Sequence, residues 1–94
     1  YGRMLIDGPM DVKTACDSES ARIKGLTSEV TGNADILIFP NIEAANTFYK
    51  TITLFAGATT AGMLCGAVAP VVIASRADSA EAKMCSMLMA CSLA

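Results

Sequence analysis

Along the chain, short apolar runs alternate with stretches whose apolar residues recur every three or four positions. The run "RMLIDG" closes on a Gly-Pro turn signal and predicts a strand with Asp7 at its carboxyl end. From Asp11 to Lys24, Val12, Ala15, Cys16, Glu19 and Ile23 fall at helical spacing, with Gly25 as the stop. "LTSEVTGN" is loop, and "ADILIFP" is a continuous apolar run of the kind buried on both faces of a parallel sheet. Pro40 and Asn41 introduce a second helix carrying Ile42, Ala45, Tyr49, Ile52 and Ala56, widened by Phe48 and Phe55 and ended by Gly57. "TAGMLCGA" predicts a third strand whose glycines let backbone pass close to a neighbour, and "PVVIA" a fourth with Pro70 at its first position. A last helix runs from about Ser79 to Cys91. It sets Ala80, Met84, Met87, Leu88 and Cys91 on one face, broadened by Cys85 and Met89, so it is expected to pack on more than one side.

This order predicts an α/β fold, a mainly parallel sheet with flanking helices. Ligands in such sheets sit beyond the carboxyl ends of the strands. Asp7, Pro40 with Asn41, and Ser75 with Arg76 all fall at those ends.

Length and composition narrow the classes. A chain of 94 residues makes one small domain at most, and 53% hydrophobic with 17% charged is too apolar for a disordered tail. Much of that surface is expected to need a partner. The chain starts at Tyr1 and runs almost at once into an apolar strand, so it is expected to be a fragment. A net charge of −2 with scattered cations argues against nucleic acid. The apolar stretch from Ala61 to Ala74 is interrupted by Gly62, Gly66 and Pro70 and falls short of the roughly 20 residues of a spanning helix, which argues against a membrane. Tyr1 to Met10 lacks the pattern of a signal peptide, and the expected location is cytoplasmic. Four cysteines without C-x-x-C spacing and no histidine speak against a metal site. The cysteines read as small core hydrophobes rather than catalytic thiols.

Without histidine no Ser-His or Cys-His pair can form, and neither a dinucleotide fingerprint nor a Walker loop is present. What remains is "SRADSAE", with Ser75, Arg76, Asp78, Ser79 and Glu81 at one strand-helix junction. Asp78 followed by Glu81 resembles a capping box and needs no substrate. Arg76, at the carboxyl edge of the sheet and facing a helix start, is placed to grip an anion. The two readings are compatible.

"ADILIFPNIEAANTFYKT" and "APVVIASRADSAEAKMCSMLMA" resemble the phosphate acetyl/butyryl transferases, and more closely the butyryltransferase branch. "DGPMDVKTAC" and "KGLTSEVTGNADIL" fit in the same order, so the resemblance covers residues 1–94 and matches about the last third of such proteins. It implies one lobe of an isocitrate dehydrogenase-like two-lobe fold, usually dimeric. The implied activity exchanges coenzyme A and phosphate on a short acyl group, with coenzyme A as a substrate and no tightly bound cofactor.

On that resemblance Arg76 and Ser75 hold phosphate, while Asn41, Asn46, Asp78 and Ser79 are candidates for binding substrate. The base of the acetyl branch aligns with Ala82, so that role passes to Glu81 or Asp78, with Glu81 preferred. Butyryl is the expected acyl group, with acetyl or a non-catalytic oligomerisation lobe as alternatives. The chain alone is expected to be inactive and to pair as a homodimer.

Overall fold

The computed structural model describes residues 2–94, and its helices begin and end where short polar side chains and glycines satisfy free backbone groups. The chain divides into two units, Tyr1–Pro40 and Asn41–Ala94.

In the first unit, Asp11 caps α1 (Val12–Cys16). Its carboxylate accepts from the backbone N–H and the hydroxyl of Thr14, each at 2.8 Å, and also pairs with Lys24. The single helix expected over Asp11 to Lys24 is interrupted at Asp17 (φ −118°, ψ 112°), which ends α1 and caps α2 (Ser18–Ile23). The cause is local: the Asp17 carboxylate accepts from the Ser20 amide at 2.9 Å and from the Ser20 hydroxyl, and such bonds compete with helix continuation. Gly25, at φ +66°, closes α2 in a Schellman arrangement, with Leu26 N–H on the Ala21 carbonyl and Gly25 N–H on that of Arg22. The following loop returns to α1, where Gly32 N–H donates to the carbonyl of buried Thr14 at 2.8 Å and Ala34 N–H to that of Ala15 at 3.0 Å.

In the second unit, Asn41 caps α3 (Ile42–Phe55) by accepting from Ala44 N–H at 2.8 Å, and Gly57 follows its end at φ +64°. Ser79 caps α4 (Ala80–Ser92) through Ala82 N–H at 3.1 Å. Ser86, buried on α4, donates to the Ala82 carbonyl at 2.8 Å and accepts from Gly62 N–H at 2.9 Å. The segment expected to bring backbone close to a neighbour does so at Gly62, although a side chain there would meet nothing within 4 Å.

The expected parallel sheet is not what forms. Among the described residues the only ladder element is one isolated antiparallel bridge, Leu64 to Val71, and no strand is present. The α/β class therefore gives way to four helices joined by irregular segments. An apolar run specifies that residues favour burial but names no hydrogen-bonding partner, and a strand exists only as part of a ladder. The runs read as strands carry their side chains in the open: Met4 is 76% exposed, Ile6 85%, Ile36 74%, Ile38 90% and Ile73 79%.

Burial corrects two further expectations. α4 buries Ala82 and Ser86, one turn apart, and not the stripe through Met84, Met87 and Leu88, which are exposed. Its apolar residues surround the axis, so periodicity could not select the buried side. None of the four cysteines is buried; Cys16, Cys65 and Cys91 are exposed and Cys85 half-buried. No helix of the described residues is long and apolar enough to cross a membrane.

Gly32 tests the return of the loop onto α1. At φ +76° an added Cβ would lie 2.6 Å from the Ser18 Cα, whereas at Gly25 the same atom meets nothing within 4 Å. Gly25→Ala then costs only the left-handed backbone penalty of about 1 kcal/mol, and Gly32→Ala about 2–4 kcal/mol because backbone must also move. Urea unfolding followed by circular dichroism should rank the two in that order.

Candidate functional site

Residues 75 to 78 form a turn closed twice over. Asp78 N–H donates to the Ser75 carbonyl at 3.1 Å, and Ser75 N–H donates to Asp78 Oδ2 at 2.9 Å. Arg76 and Ala77 occupy its two central positions, and α4 begins just beyond. The Ser75 hydroxyl accepts from Ala77 N–H at 3.4 Å.

The other oxygen of Asp78 faces α3. Oδ1 accepts from the Tyr49 hydroxyl at 2.9 Å and lies 3.6 Å from Lys50 Nζ, which itself sits 4.8 Å above the Tyr49 ring. Thr60 completes the group with its hydroxyl 3.5 Å from that of Tyr49. The Tyr49 hydrogen bond, followed by that from Ser75 N–H, holds the Asp78 carboxyl below the usual range, with Lys50 adding to the shift.

Arg76 presents a contrast. It is exposed and, like Lys13 and Lys83, makes no ion pair among the described residues, whereas the other two arginines, Arg3 and Arg22, are each paired with a carboxylate, as are Lys24 and Lys50. Asp78, two residues along the chain, is directed elsewhere. Beside the turn lies an open hollow of about 340 Å³ whose wall includes Tyr49, Met63, Ile73, Ser75, Asp78 and Ser86. The corner can therefore offer a planar cation, a hydroxyl and the first turn of a 13-residue helix to an incoming anion.

The residues selected from the sequence as catalytic or substrate-binding all lie in the second unit, whereas Asp7 and Pro40, expected at strand ends, belong to the first. Ser75, Arg76 and Asp78 share the turn; Ser79 caps α4, and Glu81 is exposed in its first turn. The cap is Ser79 rather than Asp78, so the capping-box reading places its first residue one position early. Asn41 caps α3. Asn46 is exposed on α3, three residues before Tyr49, a spacing that puts both on the helix face that meets Asp78. Asp7 belongs to the first unit, where it accepts from Gly8 N–H at 2.8 Å and lines a hollow of about 210 Å³.

Sequence reasoning did not select Tyr49, Lys50 or Thr60. Tyr49 fell within the apolar stripe of α3. The one available signal was that a half-buried tyrosine requires a partner for its hydroxyl, which left the partner unnamed.

The model of the phosphate acetyl/butaryl transferase family matches residues 2–91. A phosphate butyryltransferase of Clostridium beijerinckii is 50% identical over 86 residues, covering 92% of this chain and 28% of that protein. A phosphate acetyltransferase of Thermotoga maritima is 45% identical over 85 residues, covering 90% of this chain and 29% of the relative. The crystal structure of a branched-chain phosphotransacylase from Enterococcus faecalis V583 matches with a TM-score of 0.80 at 38% identity, over 89% of this chain and 32% of that one. The chain thus spans less than a third of the length of these relatives.

The turn should loosen in acid. Because the folded carboxyl of Asp78 titrates below its ordinary value, its contribution is complete above that value, about 3.9, and is lost as pH falls through the lower folded one. Thermal midpoints of the parent chain and Asp78→Asn should differ most near neutrality and converge as pH falls below about 4. A difference that stays constant down to pH ~2 would contradict the assignment, since a protonated Asp78 retains no charged advantage.

Proposed function

Because the chain belongs to the phosphate acetyl/butaryl transferase family, we propose that it supplies the phosphate-holding corner of an acyl transfer between coenzyme A and phosphate. The observation that carries this reading is the exposed Arg76 without an ion pair among the described residues, on a turn whose neighbouring carboxylate is engaged by Tyr49 and Ser75 N–H.

In the forward direction a phosphate oxygen attacks the thioester carbonyl carbon of butyryl-CoA, the C–S bond breaks, and the departing thiolate takes up a proton. Butyryl phosphate and coenzyme A result. Arg76 holds the phosphate through paired N–H donors, and the Ser75 hydroxyl adds a neutral hydrogen bond. The α4 start adds positive potential, and the Ser79 hydroxyl, while its oxygen accepts from Ala82 N–H, keeps its own proton to donate. Asn46 reaches the substrates from α3, with Asn41 at the start of the same helix.

In the reverse direction the thiol must lose its proton. Glu81 is the preferred base, since both oxygens of Asp78 already accept hydrogen bonds. Coenzyme A is a substrate here, and no tightly bound cofactor is required. A butyryl group is favoured by the 50% identity to the C. beijerinckii butyryltransferase, against 45% to the acetyltransferase of T. maritima.

The reading extends to association and location. The 94-residue chain alone is inactive, because transfer between two charged substrates needs groups converging from both sides of a water-excluding cleft. It pairs as a homodimer in the cytoplasm, and the exposed Ile36, Ile38, Leu54 and Phe55 supply the apolar surface that favours pairing.

In a full-length protein containing these residues, Arg76→Ala should lower kcat/KM for phosphate by about 10²–10³-fold, with little change in thermal midpoint. Arg76→Lys should recover part of the loss, having charge without the fork. Unaltered phosphate kinetics in Arg76→Ala would remove the assigned role. For the isolated chain, light scattering at micromolar concentration should give a mass above 9.7 kDa; a clean monomer would refute the pairing.

A further inference from the structure

The turn that presents Arg76 also contains the group best placed to neutralise it. Asp78 follows two residues later, and a carboxylate so close would compete with phosphate for the guanidinium. Three contacts prevent this. Ser75 N–H holds Oδ2 at 2.9 Å, the Tyr49 hydroxyl holds Oδ1 at 2.9 Å, and Lys50 Nζ approaches Oδ1 at 3.6 Å. The Asp78 side chain is only 16% exposed, so few waters are available to take the place of a lost partner.

Of the three contacts, that from Ser75 lies within the turn and sets only its shape. Lys50 is 44% exposed and at salt-bridge range, where screening weakens it. Among the described residues, the Tyr49 hydroxyl makes the one hydrogen bond that joins the carboxylate to α3.

We propose that Tyr49 is a positioning residue for phosphate binding: by holding Asp78 Oδ1 against α3, it fixes the 75–78 turn and keeps that carboxylate away from Arg76. The proposal rests on the reading of Arg76 as the phosphate grip. It assigns Asp78 the role of a latch, and it gives α3 a part in substrate affinity through a residue that need not touch substrate. Thr60, 3.5 Å from the Tyr49 hydroxyl, limits the directions in which that hydroxyl can turn.

The test uses a full-length family protein containing this chain, with Tyr49→Phe, Arg76→Ala and the double variant. Phenylalanine preserves the ring and its place beneath Lys50 while deleting the hydroxyl. Tyr49→Phe should raise the KM for phosphate about 5–20-fold, since only part of the roughly 10–150-fold that one hydrogen bond to a charged group is worth passes through the turn to Arg76. The KM for acyl-CoA should stay within about twofold, since a rim mutation acting only through the turn removes no thioester contact. In the Arg76→Ala background, Tyr49→Phe should change phosphate kinetics by less than about twofold, because the residue it acts through is gone.

If Arg76→Ala weakens phosphate use while Tyr49→Phe leaves its KM unchanged, the positioning role fails and the phosphate grip stands. If Arg76→Ala itself has no effect, the underlying reading fails first. Equal losses for phosphate and acyl-CoA would overturn the proposal in favour of a general packing role. Should Tyr49→Phe not fold, Asp78→Asn serves: its carbonyl oxygen can still accept from Ser75 N–H and its amide N–H can donate to the Tyr49 hydroxyl oxygen, so the turn is kept while the charge that competes for Arg76 is removed. Phosphate KM should then stay within about twofold of the parent, because no carboxylate is left to compete; a selective rise would show that Asp78 itself supports phosphate binding and would overturn the latch.

Discussion

The Asp78 carboxylate gathers the second unit: one oxygen closes the turn before α4, the other is held by α3 through Tyr49, and the two long helices thereby acquire a fixed relation at the corner that carries Arg76. A carboxylate has this organising weight because the buried residues are few and small. Ala82 and Ser86 are the buried residues of α4, and α3 buries none. Where so little apolar surface is removed from water, a charge-assisted hydrogen bond to a half-buried group is a large share of what remains. The first unit follows the same rule. Asp11 takes the amide and hydroxyl of Thr14 and pairs with Lys24, and Thr14, Ala15 and Ala21 are the small side chains packed beneath.

This economy has chemical consequences. Phosphate recognition requires a cation free of competing carboxylates, yet a stable turn before a helix favours an acidic residue at that point. On the proposed reading of Arg76, both requirements are met two residues apart because each oxygen of the acid already accepts a hydrogen bond, one from Ser75 N–H and one from Tyr49. Ser79, not Asp78, then caps α4, and the division of labour between the two residues leaves the arginine exposed. The exposed apolar segments belong to the same account, since the surface they present is the counterpart of the small core.

What the sequence made legible follows the range of the interactions involved. Helix α3 could be placed because its signals are local: Asn41 three residues before the amide it caps, and Gly57 just past the last turn. The end of α2 at Gly25 was readable for the same reason, and Ser79 stood at the expected start of α4. The Ser75–Arg76 corner was visible as a cluster within seven residues. The sheet was misread because the apolar composition of "ADILIFP" and "PVVIA" names no ladder partner, and among the described residues the one bridge that forms joins Leu64 to Val71. The Tyr49–Asp78 bond spans 29 residues, and no periodicity or motif announces a contact of that separation.

The same bond bears on the identity of the base. A general base needs a lone pair directed at the proton it removes, and the best base in a site is one whose charged form is not already stabilised. Asp78 fails on both counts: each oxygen accepts a hydrogen bond, and those bonds hold its carboxyl below the ordinary range, which makes it a weaker proton acceptor. Glu81 stands three residues further, exposed in the first turn of α4. The acidic pair of "SRADSAE" is therefore divided by a tyrosine from another helix: the Asp78 carboxylate is held by Tyr49 and Ser75 N–H, which gives the preference for Glu81 as the proposed base a structural ground.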